Sequence, residues 1–366
     1  MARALVCALA LGLSSAQPPQ DCGQFDRRVF EPITLRNKQG LELSVLPYGG
    51  TAQRLLVPTR GRQPVDVLLG FDQGDWYCSG GPMGQHPYFG ALIGRVANRI
   101  ARCSFSLGGS TYRLPCNEYQ AATGLNDTLH GGPIGYDRRA WNVTARGPTS
   151  LTLELDSPAG EMGFPSSLHL TVVYTVTEGA PPASLGAWDL AYTIKNTGAL
   201  PTPVAPTQHA YFMLGGFTGG EETVLAHTLR MANATAYEGI DAGLIPTGEL
   251  IPVTQQPWMD FTAAKAVGEA FPLPSGASGY DNGWVFSGPT SGRDFAPQAE
   301  LIASASGLRM VTWVSAHDVF LSPPSPPPSP LSRKMRRVPL CPQSSPSTHA
   351  HQNLADGCSG SAGVHG

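Results

Sequence analysis

The chain has 366 residues, a formal net charge of −3 and only 14% charged residues, with 43 glycines and 34 prolines. So sparse a charge pattern excludes long salt-bridged helices and coiled coils. With no basic stripe outside a short C-terminal cluster, it also argues against nucleic acid as a partner.

Residues 1–16 carry the pattern of a signal peptide. Arg3 supplies the positive start, and Ala4 to Leu13 is apolar but too short to span a bilayer. Ser14, Ser15 and Ala16 offer small residues for cleavage. The expectation is a secreted protein or one of the secretory pathway, and a cytoplasmic one only if this leader does not function. No later stretch is apolar enough for a membrane span, so no membrane partner is expected. Beyond Cys7 in the leader, six cysteines remain: Cys22, Cys78, Cys103, Cys116, Cys341 and Cys358. Six cysteines allow fifteen pairings. Cys103 and Cys116 flank an expected hairpin and are the best pair. None has CxxC spacing, so no zinc or other metal site is expected.

Alternation with a period of two dominates the body of the chain. Leu41, Leu43 and Val45 alternate with polar residues and lead to a turn at Tyr48-Gly49-Gly50. Phe105 and Leu107, then Gly108-Gly109, then Tyr112 and Leu114 read as a hairpin. Leu151, Leu153 and Leu155 mark another strand. Leu168 to Val176 and Trp188 to Ile194 are two more. Gly and Pro recur too often for long helices between them, and only short pieces near Val96–Arg102 and Ala263–Glu269 suggest helix. The fold class expected is all-β, with antiparallel sheets packed face to face as a sandwich. One domain over 25–321 is expected. From 322 to 366 the composition turns to Pro and Ser, then to the basic run Arg333-Lys334-Met335-Arg336-Arg337, and reads as a disordered tail.

Chemistry concentrates in four short segments. His86 to Ile100 places Asn98 and Arg99 side by side, and a guanidinium with its five donors suits hydroxyls and ring oxygens. His130 precedes Gly131-Gly132, where the backbone can approach a ligand closely. His209 stands beside Tyr211 and Phe212, and aromatic faces suit the C–H faces of a sugar. Asp281, in Gly279-Tyr280-Asp281-Asn282, is a hydroxyl acceptor or a turn aspartate. Taken singly, each histidine is also compatible with a hydrogen-bonded structural role. Three sequons, at Asn126, Asn142 and Asn233, matter only in a secreted chain. Asn126 lies four residues before His130, so Asn142 and Asn233 are the better glycan acceptors.

In their order along the chain, His86–Ile100, Leu129–Gly132, His209–Phe212, Leu244–Glu249 and Gly279–Asp281 make it resemble the aldose 1-epimerase, or galactose mutarotase, family. The resemblance covers roughly residues 30 to 315. It implies a large antiparallel β-sandwich of the galactose mutarotase type. It also implies interconversion of the α and β anomers of aldohexoses such as galactose and glucose, without a cofactor. By the same resemblance His209 and His130 are the catalytic pair, with His209 the general acid and His130 bonded near the ring oxygen. Asn98, Arg99, His130, His209, Tyr211 and Asp281 would then bind the sugar.

The chain departs from the family at its C-terminal end. There the family carries a basic glutamate, whereas this sequence has no Glu beyond Glu300. Asp318 is the nearest carboxylate and does not match the motif. The loss of the family's last strands implies open sheet edges. Gln208 and Met213 stand where the family often has asparagine, and an insertion lies between Arg99 and His130. Two alternatives therefore remain beside an epimerase. One is a secreted non-catalytic sugar-binding protein. The other is an epimerase of hexose 6-phosphates, which would need further cations near Arg99, Arg95 being one to consider.

Overall fold

A computed structural model describes residues 20–59, 62–180, 184–217, 224–275, 279–287, 297–314, 318–322, 349–353 and 359–365. The leader over 1–16 and most of the proline-rich segment lie outside these residues.

The alternating segments become strands because period-two burial needs an extended backbone. In Leu168–Val176 the alternate positions Leu168, Leu170, Val172, Tyr174 and Val176 are buried, and each intervening residue is half-buried. It pairs antiparallel along its whole length with Gly186–Asn196 on one side, and over Leu168–Thr175 with Ser150–Ser157 on the other.

The described residues form a nine-stranded and a seven-stranded sheet, with smaller four-, three- and two-stranded sheets against them. All strand pairings in these sheets are antiparallel. One hydrophobic core joins the nine-, seven- and four-stranded sheets. Leu170, Tyr174 and Trp188 come from the nine-stranded sheet, Tyr237 and Trp284 from the seven-stranded one, and Leu43 and Leu55 from the four-stranded one. The all-β sandwich expected from the sequence is the fold observed. The hairpin Ser104–Leu107 with Ser110–Arg113 forms as expected, and Cys103–Cys116 is a disulfide. A second bridge, Cys22–Cys78, ties the N-terminal segment to the body.

Two expectations are corrected. The helices expected near 96–102 and 263–269 are instead short strands, Arg99–Ala101 and Lys265–Ala266. In both places pairing to a neighbouring strand satisfies the backbone groups that a helix would have paired internally. Beyond residue 322 the described residues include two strands, His349–Asn353 and Ser359–His365. Ser359–His365 pairs with Gly186–Asn196 on one side and Leu308–Val314 on the other, so those two edges are not open. A Gly- and Ser-rich run carries no apolar alternation to read. A two-sided backbone ladder organises it regardless of side-chain type.

Candidate functional site

The site is built where the strand Thr207–Gln208 pairs with Leu92–Ile93. The His209 N–H donates to the Ala91 carbonyl at 2.9 Å, and the Gly90 N–H donates to the His209 carbonyl at 2.9 Å. The Gln208 side-chain amide donates to the Gly90 carbonyl at 2.6 Å. Gln208, one of the departures from the family pattern, thus clamps the His209 segment to the loop carrying Tyr88. Met213, the other, is buried, and its N–H bonds to Val67.

Tyr88 is the centre of the arrangement. Its ring lies 4.7 Å from the His130 ring and 5.6 Å from the His209 ring, centroid to centroid. The two imidazoles meet edge to face at 5.2 Å. Tyr211 packs behind His209 at 4.8 Å, with its other side on Phe89. Burial first, and the nearby Asp281 charge second, raise the Tyr211 phenol far above its ordinary value, which places Asp281 within electrostatic reach of this wall. Tyr88, Asn98 and His130 all have positive φ, at 60°, 63° and 53°. Left-handed backbone at non-glycine residues is costly and gathers at functional sites. Gly131 follows at φ +88°, and a Cβ there would meet the Gly94 carbonyl oxygen at 2.0 Å. Only glycine allows this approach.

Asn98 and His130 are locked to each other by one backbone–backbone bond and one bond to the His130 ring. The His130 N–H donates to the Asn98 carbonyl, and the Asn98 N–H donates to His130 Nδ1, both at 3.0 Å. A ring nitrogen that accepts must carry a lone pair, so in this geometry His130 is neutral with its proton on Nε2. Arg99 is aimed by Glu118. Its Nε and Nη2 donate to the two Glu118 oxygens at 2.7 and 3.0 Å, and Nη1 donates to Asn98 Oδ1 at 3.2 Å. The Glu118 side chain is fully buried. Asn98, Arg99, His130 and Asp281 are half-buried, as groups at the rim of a site should be, while His209 is 4% exposed.

Arg95 has a different role from the one considered for it. Its guanidinium donates to the carbonyls of Pro165, Ser166, Ser157 and Pro158 and to the hydroxyls of Ser157 and Thr202. It is 2% exposed. This cation is spent on the scaffold, which removes the support for a phosphate-binding variant. Among the described residues, no group of three or more His, Cys, Asp and Glu side chains is arranged to hold a metal ion.

Glu118 and Tyr88 were not singled out from the sequence. Tyr88 sat inside the key stretch, but nothing local marked its ring as the shared wall of two distant histidines. Glu118 lies in the segment that reads as an insertion, and only folding brings it to Arg99.

Behind Tyr88 lies a buried acid–base pair. His86 packs edge to face on Tyr88 at 5.5 Å, and its Nδ1 is 3.6 Å from Asp137 Oδ2. Both side chains are 1% exposed. Burial, helped by the Arg138 charge, lowers the His86 pKa to about 3. Burial raises the Asp137 pKa to about 7, against the pull of Arg138. Between pH ~4 and ~6.5 the folded pair therefore holds one proton, and so does the unfolded chain, on its histidine. The two linkages cancel there. Asp137→Asn removes the compensation. A histidine with a depressed folded pKa has its full stability above the unfolded pKa and loses it as pH falls. The variant should thus lose stability on acidification from ~6.5 toward ~3, by about 1.4 kcal/mol per pH unit. Denaturant midpoints across that range check this, and a flat difference between variant and parent would contradict it.

The fold and this arrangement define a galactose-mutarotase-type β-sandwich. The aldose 1-epimerase family model matches residues 31–359, and the chain belongs to that family. It is 36% identical over 227 residues to the galactose mutarotase of Mus musculus, covering 61% of this chain and 58% of the relative. It is 32% identical over 279 residues to a probable aldose 1-epimerase of Arthroderma benhamiae, covering 74% of this chain and 62% of the relative. The matched segment thus spans about three fifths of these relatives' length. Against the aldose 1-epimerase of Escherichia coli the identity is 30% over 294 residues, covering 80% of this chain and 78% of the relative. Among solved structures, an aldose epimerase homologue from C. elegans superposes with TM-score 0.71 at 22% identity, covering 92% of this chain and 98% of the other.

Proposed function

We propose that this chain binds an aldohexose, galactose or glucose, at the His130–His209 cluster and interconverts its α and β anomers by acid–base ring opening. The observation that carries this is the unequal imidazole pair. His130 is committed at Nδ1 to the Asn98 backbone, so it donates only through Nε2. A neutral imidazole held this way orients and polarises. The proton delivered to the ring oxygen then falls to His209, whose ring meets His130 at 5.2 Å. Opening breaks the C1–O5 bond as the anomeric hydroxyl loses its proton and O5 gains one. Rotation about C1–C2 and reclosure give the other anomer. Asn98 and Arg99 donate to hydroxyls, and Asp281 accepts from them.

The weak member of this site is the base. The sequence has no Glu beyond Glu300, so deprotonation of the anomeric hydroxyl falls to water or to a carboxylate off the family position. The chain should bind sugar well and exchange anomers slowly. That same observation favours the second reading, a secreted carbohydrate-binding protein without catalysis. Polarimetry on a freshly dissolved single anomer separates them. Exchange no faster than buffer, with sugar bound, leaves only the binding reading.

Asp281→Ala should raise KM with little change in kcat. A hydroxyl acceptor away from the anomeric carbon serves ground and transition states alike. A drop in kcat at constant KM would instead make Asp281 the substitute base. We also infer that the chain matures in the secretory pathway. The leader pattern and the two bridges, Cys22–Cys78 and Cys103–Cys116, support this, since disulfides persist in oxidising compartments.

A further inference from the structure

The large sheets end in four edge strands of unequal hazard. Leu92–Ile93 and Lys265–Ala266 have two residues each and template little. Pro246–Pro252 is a seven-residue edge, almost wholly exposed, but a proline stands at each end and Gly248-Glu249 lies inside. Proline lacks the ladder donor, and charge disfavours pairing. The fourth edge, Asn142–Arg146, is exposed at all five residues, contains no proline, carries its one charge at the last residue, Arg146, and presents Val143 at 42% exposure. Among the described residues its one sheet neighbour is Ser150–Ser157, and none of them pairs with its outer row of N–H and C=O groups. The register shift between Val143 and Ala145 puts Thr144 at a bulge. Asn142-Val143-Thr144 is a sequon.

We propose that Asn142 carries an N-linked glycan and that this glycan shields the open edge of the nine-stranded sheet. This rests on the secretory reading. The other two sequons lack this setting. Asn126 lies in the middle strand of the three-stranded sheet, four residues from His130. Asn233 precedes Ala234–Ile240, an interior strand of the seven-stranded sheet, and its carbonyl accepts the Ser287 N–H. The modification is a substitution at C1 of a polyprenyl-pyrophosphate-linked oligosaccharide. The bond from Asn142 Nδ2 to C1 forms, the C1–O bond to pyrophosphate breaks, the amide gives up a proton, and the lipid pyrophosphate leaves. A large hydrophilic chain beside Val143 then does what proline does at the other exposed edge.

The test is to express the full chain in animal cells and examine the protein recovered from both the medium and the cells. Peptide mapping before and after N-glycosidase treatment should show Asn142 occupied. Asn142→Gln, Thr144→Ala and natively deglycosylated protein should each move from a monomer peak to a dimer or larger in size-exclusion chromatography. Val143→Lys added to Asn142→Gln should return the monomer, because an edge charge restores the guard. If the leader is removed and both disulfides are formed but Asn142 is bare, the glycan is overturned alone. If the leader is retained and the thiols are free, the secretory reading fails and takes the glycan with it. If Asn142 is occupied and both the unglycosylated variants and the deglycosylated protein stay monomeric, the shielding role is overturned.

Discussion

Replacing His209 with alanine is expected to lower the anomer-exchange rate of this chain by ~10²-fold or more, the usual worth of one general acid. The reason is geometric. Its partner His130 stays neutral while Nδ1 accepts from the Asn98 backbone, and the Nε2–H of a neutral imidazole is a hydrogen-bond donor but too weak an acid to protonate O5. Sugar affinity should change far less, because the proposed mechanism gives hydroxyl recognition to Asn98, Arg99 and Asp281. His130→Ala should cost less than His209→Ala. Magnetisation-transfer NMR between anomers measures slow exchange directly and reports binding in the same samples. A His209→Ala protein that keeps more than about a tenth of the rate moves the acid role elsewhere.

Glu118→Ala is expected to be the most damaging single change at the site for stability. Glu118 is fully buried and bidentate to Arg99. Removing one partner of a buried pair strands the other charge and costs about 3–5 kcal/mol. Arg99 keeps some solvent contact, with its side chain 9% exposed, so the lower end is expected. Arg99 also loses its aim, and sugar affinity should fall together with stability. The double variant Arg99→Met with Glu118→Leu should recover much of the stability and none of the affinity, since an apolar pair leaves no stranded charge. Denaturant unfolding and sugar titration of the three variants check both halves. An unchanged midpoint for Glu118→Ala would mean that solvent reaches Arg99 well enough to replace the carboxylate.

Much of the fold was legible in the chain. Leu151–Leu155, Leu168–Val176 and the Gly108-Gly109 hairpin announced their strands, because alternation and turn residues are local properties. The residues of the imidazole cluster were legible as motifs, since Asn98-Arg99, His130-Gly131-Gly132 and His209-Ala210-Tyr211 each keep their chemistry within a few positions. The short strands at Arg99–Ala101 and Lys265–Ala266 look like helix in the sequence. Two or three residues carry too little periodicity, and their partners lie far along the chain.

By itself the sequence determined the all-β class, the family and the residue types at the site. What it left to the tertiary structure was which groups meet. Arg95 and Arg99 are four residues apart and chemically identical. Only folding sends the first into a cage of carbonyls and the second toward Asn98 and Glu118. The same holds for the strands found beyond residue 322. Their place is set by backbone donors and acceptors on neighbouring strands, and hydrogen-bonding demand from a distant part of the chain leaves no mark on local composition.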